Sequence, residues 1–219
     1  MNKLLETIVS KRNALLIILL YGTVWGCVEA GMGLLPKYPF SSVPPTLIGL
    51  MLLALARAYL PERGSSTAIG AIAMLYRAMT IQGWPCHIWA VLLIGVSFDI
   101  VATLVCKRNE KLAWRIISGP ATAYLAYVLF AFTMTYIMLY IPPMRSCAHW
   151  WVVGGLPKIV DYVGKSGSLA AVGSLIAVPL GYWLGYFMPN MRMGHHRWAL
   201  IGEGLALATL WAVGFAFSL

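Results

Sequence analysis

Four ionisable residues sit inside apolar runs of this sequence: Glu29, Arg77, Asp99 and Glu203. A charged group near the centre of a bilayer costs at least about 2.5–3.5 kcal/mol on insertion scales, so each needs a partner, a wet cavity or a boundary. Glu29 and Arg77 fall towards one end of their runs, and His87 sits with Trp84 in the turn that follows Arg77. These groups share one level while belonging to different segments, and apart from making no contact at all they have two arrangements open to them. In the first, Glu29, Arg77 and His87 fix a small ligand in a pocket open to the outside, with the indoles of Trp25, Trp84 and Trp89 covering its flat or apolar part. In the second, Glu29 and Arg77 form a buried ion pair that serves structure alone. Asp99 lies deeper, in the run that starts at Ile88, and is either a proton or cation site or an acceptor for Thr and Ser on neighbouring helices. Glu203, close to Arg197, reads as a boundary residue that snorkels or pairs.

The cysteines and histidines narrow the chemistry. Cys86 and Cys147 fall on connections of the same face, where an oxidising compartment permits a disulfide between them; two free thiols are the alternative. Cys27 is at membrane depth and Cys106 at the opposite boundary. His195 and His196 share one basic connection and His149 lies in another, so no two histidines face each other at membrane depth, which argues against a bis-histidine haem. Neither His-Glu-x-x-His nor Cys-x-x-Cys occurs, and neither does a phosphate-binding loop. Ile117 to Pro120 reads Ile-Ser-Gly-Pro, short of the first glycine of a Gly-x-Ser-Gly signature. No metal or cofactor is expected from these patterns, and no reaction on the ligand. A membrane enzyme acting on lipid or quinone, with Asp99 or Glu29 as acid or base, stays as an alternative.

The elements that must hold these residues follow from composition. The 219-residue chain is 60% hydrophobic and 11% charged, with a mean hydropathy of +0.78. Soluble domains carry roughly 25% charged residues, which excludes an ordinary soluble globule. A spanning helix needs about 20 mostly apolar residues. Seven segments approach this: Ala14 to Leu35, Pro45 to Leu60, Thr67 to Ile81, Ile88 to Cys106, Ile116 to Ile141, Ser168 to Met188 and Trp198 to Leu219, the second and third being short. The expectation is a single-domain, all-α integral membrane protein of the cell membrane, residues 1–219, built as a bundle of six to seven transmembrane helices.

The net charge of +9 is spread between the apolar runs, where it sets orientation rather than offering a nucleic-acid surface. With a cytoplasmic N-terminus, the inner connections hold Lys3, Lys11, Arg12, Arg57, Arg63, Lys107, Arg108, Lys111, Arg115, Arg192 and Arg197. The outer ones hold only Lys37, Arg145, Lys158 and Lys165, so the N-terminus is placed inside. The longest connection, Pro142 to Gly167, carries Trp150, Trp151 and several Val and Ile residues, and fits either an interfacial helix or an aromatic-belt loop. Gly22, Gly26 and Ala30 line one face of the first span at a spacing of four, and Gly181 and Gly185 do so in the sixth. Such faces admit close helix approach, either within the chain or by docking a separate subunit.

Trp25 to Gly33, reading Trp-Gly-Cys-Val-Glu-Ala-Gly-Met-Gly, the Pro-rich loop Pro36 to Pro45, the stretch Leu53 to Arg77 and the acid-bearing run Ile88 to Leu104 together resemble the substrate-binding S components of energy-coupling-factor (ECF) transporters. The resemblance covers about the first half of the chain. It implies a small helical membrane subunit that captures a vitamin-like micronutrient from outside and works with a transmembrane coupling subunit and two cytoplasmic ATPases. On it, Gly22, Gly26 and Ala30 take the place of the helix-docking face, and Pro36 to Pro45 forms a lid over the substrate. An accessory or structural subunit of a larger membrane complex is the main alternative.

Overall fold

Apolar runs rich in Leu, Ala, Ile and Met satisfy their backbone groups by coiling, the only open-ended solution in hydrocarbon. The computed structural model describes residues 2–33, 41–80, 85–105, 112–187 and 197–216, and within them every regular element is helical. The helices are α1 (Asn2–Gly33), α2 (Val43–Tyr59), α3 (Ser65–Thr80), α4 (Pro85–Val105), α5 (Leu112–Tyr136), α6 (Arg145–Tyr162), α7 (Ser168–Phe187) and α8 (Arg197–Ala216). Among the described residues, Ala14–Gly33, Pro85–Leu104, Ala113–Tyr136 and the run Pro142–Phe187 are long and apolar enough to cross a membrane; Val43–Tyr59 and Gly204–Ala216 are shorter apolar helices.

Prolines and glycines set several boundaries. Proline opens α2 and α4, where a missing N–H costs nothing. The fifth apolar run was expected to continue to Ile141, but α5 stops at Tyr136. Pro142 disfavours helical backbone at Ile141, which is extended (φ −99°, ψ 113°), and short 3-10 turns lead on into α6. Within α5, Pro120 leaves a gap in the ladder, and the hydroxyls of Ser118 and Thr122 donate to the carbonyls of Arg115 and Ser118 at 2.7 Å beside it. Gly155 takes φ 53°, a left-handed value that breaks α6 in two. Beyond it the chain is helical through one wide turn at Val163–Gly167 into α7, so the stretch Pro142 to Gly167 is a kinked helix rather than a loop.

Six helices close a ring in the order α1, α3, α4, α5, α7, α2 and back to α1. α6 lies across α5 at one end of this ring, and the α2–α3 turn, with Gly64 at φ 85°, marks the other. α8 stands outside against α1 and α3. There Tyr76 donates to the Leu210 carbonyl at 2.9 Å, and the Trp211 indole donates to the Thr23 hydroxyl at 3.2 Å. Two apolar clusters fill the ring. The larger holds Trp25, Leu50, Leu53, Phe98, Tyr127 and Val178; the smaller, under α6, holds Phe130, Met134, Cys147 and Trp151.

Small residues set how near the helices come. A Cβ at Gly22 would stand 2.6 Å from Ile72, and one at Gly26 would stand 2.7 Å from Tyr76, both on α3. Ala30 is buried on the same helix. The face that the resemblance assigns to a separate subunit is therefore occupied by the chain's own α3. Gly181 and Gly185 likewise sit against Met51, Ala54 and Ala58 of α2.

Candidate functional site

The end of α1 and the end of α3 lie side by side because the glycine seam between them runs in parallel, and this brings Glu29 to Arg77. The carboxylate Oε2 is 3.7 Å from Arg77 Nη1, and the same nitrogen donates to the Glu29 backbone carbonyl. That carbonyl belongs to the last turns of α1, where a cation complements the helix dipole. Gly33 leaves the room needed, since a Cβ there would come 3.0 Å from Arg77 Nη2. Both side chains are almost wholly buried, at 9% and 3% exposure. Trp25, fully buried, lies over Gly49 of α2 and points its Nε1 towards the Glu29 carboxylate without closing a hydrogen bond. Arg77 Nε has no partner either. An unpaired buried donor costs about 1–3 kcal/mol, so this centre holds unspent hydrogen-bonding capacity inside an apolar shell.

Hydroxyls and rings continue the centre towards α5 and α6. Tyr127 of α5 is within electrostatic reach of Glu29 and donates to the Ser42 hydroxyl at 3.3 Å. Thr46 donates to the Ser42 carbonyl at 2.8 Å. Tyr127 stacks on Tyr162 with ring centroids 5.1 Å apart, and Tyr162 meets Trp151 edge-on at 5.0 Å. Tyr162 and Trp151 also wall a groove of about 340 Å³ on α6, which Trp150, Lys158, Asp161, Lys165 and Ser166 complete. Its cations are engaged: Lys165 pairs with Asp161 at 2.6 Å, and Lys158 donates to the Trp150 carbonyl at 2.8 Å.

A second ionic centre lies at the α2–α3 turn. Arg57 Nη1 is 3.0 Å from Asp99 Oδ1 and also reaches the Glu62 carbonyl and the Ser65 hydroxyl. Asp99 Oδ2 accepts from the backbone N–H of Thr67 at 3.1 Å and from its hydroxyl at 2.9 Å. The carboxylate of α4 thus caps the first turn of α3, satisfying a donor that no helical carbonyl serves. Both its oxygens are engaged, and one side chain joins three helices.

The residues expected to share a pocket separate. Glu29, Arg77 and Trp25 come together. Trp89 instead donates its indole N–H to Thr133 of α5 at 2.9 Å and lies against the smaller cluster, because α4 turns that face to α5. His87 is exposed in the first turn of α4 rather than buried with the ion pair. Trp84, Cys106, His195, His196 and loop residues 36–40 lie outside the described residues, as does the side chain of Glu203. Ser42, Thr46 and Tyr127 carry no charge at membrane depth and so gave no signal in the sequence, while Trp151 and Tyr162 stood out there only as part of the aromatic stretch between Pro142 and Gly167. Among the described residues, no group of three or more His, Cys, Asp or Glu is placed to hold a metal ion. Comparison of the chain with protein-family models, with curated proteins and with solved structures finds no match.

Proposed function

We propose that this chain is a cell-membrane substrate-capture subunit with six or seven spanning helices and a cytoplasmic N-terminus. In this reading it takes up a small vitamin-like micronutrient from outside and works with a separate coupling subunit and ATPases, as the S-component resemblance implies. The observation that carries the reading is the pair of unpartnered buried donors, Trp25 Nε1 and Arg77 Nε, beside the Glu29 carboxylate. A guest with acceptor atoms would occupy those donors, while the stacked rings of Tyr127 and Tyr162 would flank its flat part. The ligand chamber then lies between α1, α3 and α5 at the α6 end. The basic α2–α3 end, with Arg57, Arg63 and Arg115, faces the cytosol.

Coupling to a partner does not run through Gly22 and Gly26 in this version, since α3 fills that face. The self-paired Glu29 and Arg77 also fit a structural subunit of a larger membrane complex, and one measurement separates the two readings. Native mass spectrometry of the purified chain should detect a bound small molecule that is lost in Arg77→Ala while the protein stays folded. A wild-type chain that carries no ligand, and whose melting temperature no micronutrient in a broad panel raises, would end the capture reading.

A further inference from the structure

Cys86 stands in the first turn of α4 and Cys147 in the first turn of α6. Cys147 is buried among Phe130, Met134 and Trp151; Cys86, half-buried, lies against the same cluster, and the two thiols, both free, are near enough to act on each other electrostatically. Disulfide geometry asks for β-carbons about 3.5–4.5 Å apart, so the pair must share one small packing cluster, as these two cysteines do. α6 lies chiefly on α5 and touches α4 little, so this contact is where a covalent bond would change its attachment most.

We propose that Cys86 and Cys147, free thiols in this structure, form a disulfide on oxidation that fastens α6 to α4. The oxidant is itself a disulfide, of glutathione or of an oxidised protein dithiol. The Cys86 thiolate, the more accessible of the two, attacks it, forming a mixed disulfide and releasing one thiol. The Cys147 thiolate then attacks the Cys86 sulfur and releases the second. Two protons and two electrons pass from the cysteine pair to the reagent, which leaves as two thiols. The bond does not depend on the capture reading, because it rests on the placement of α4 and α6 alone.

The test uses the full chain in detergent, treated with oxidised glutathione, quenched in acid, unfolded and alkylated with a maleimide, then mapped by mass spectrometry. Two of the four cysteines should resist alkylation until reduced, and the peptides bearing Cys86 and Cys147 should be recovered linked. In Cys86→Ser the three remaining thiols should all react. That variant alters a half-buried site, so it provides the control should Cys147→Ser fail to fold. Four reactive thiols after oxidation, or a link from Cys86 or Cys147 to Cys27, Cys106 or a second chain, would overturn the assignment.

Discussion

The two ionic centres are built from the same chemistry and finished differently. At the α2–α3 turn, Asp99 shares its two oxygens among Arg57, the Thr67 backbone and the Thr67 hydroxyl, and Arg57 adds two further acceptors from the turn itself. At the α6 end, Arg77 spends one nitrogen on both the carboxylate and the carbonyl of Glu29, while its Nε and the Trp25 indole are left unmatched. The first arrangement is a fastener, because nothing is left over to bind anything else. The second leaves donors without a partner of good geometry, each at a cost of about 1–3 kcal/mol, so it is the less completed of the two.

Mutations can break or sharpen that contrast. The largest effect is expected from Asp99→Ala, which strands the Arg57 cation and uncaps α3; removing one partner of a buried pair costs about 3–5 kcal/mol. Thermal unfolding in detergent should show it, and Arg57→Ala combined with Asp99→Ala should lose less than the two single losses added. Gly26→Ala comes next, at about 1–3 kcal/mol, because its new methyl meets Tyr76 at the seam that aligns the other centre. The Arg57–Asp99 coupling measured by the double-mutant cycle should be unchanged in that background. The smallest effect, and the most telling, is Trp25→Phe. Deleting an unpaired donor removes no bond, so the loss should be only the packing cost of the smaller ring in this buried site, about 1–2 kcal/mol. A loss above about 4 kcal/mol would exceed that packing cost and mean that the indole N–H is satisfied and the two centres are alike.

What the sequence disclosed depended on period and level. The helices were legible because long apolar runs leave few other conformations, and each of the seven segments corresponds to a helix with ends shifted by a few residues, save that α1 starts far earlier, at Asn2. The meeting of Glu29 and Arg77 was legible as two groups on one level in neighbouring runs. Arg57 with Asp99 was not. Arg57 read as a flanking cation, and Asp99 as a deeper group counted from the far end of its run. Counted from the Val105 end of α4 it lies less than two turns in, which is the level of the first turn of α3. Trp89 stands apart from Glu29 and Arg77 for a rotational reason: depth along a helix is visible in sequence, but which neighbour a face meets is set by the order of helices around the ring. The kinked helix α6 was one of two readings left open, since Gly155 and Pro157 weaken any periodic signal there.

The glycine seam also limits how the Glu29 centre can respond to anything that enters it. With Ile72 and Tyr76 of α3 packed directly on the backbone of α1 at Gly22 and Gly26, neither helix has slack to slide past the other, because close-packed interiors compress little. Adjustment between them falls to side chains, whose rotamers turn over far faster than whole helices shift. Any rearrangement at that level is therefore quick and short in reach, and the spacing of two glycines holds the distance between α1 and α3 constant while it happens.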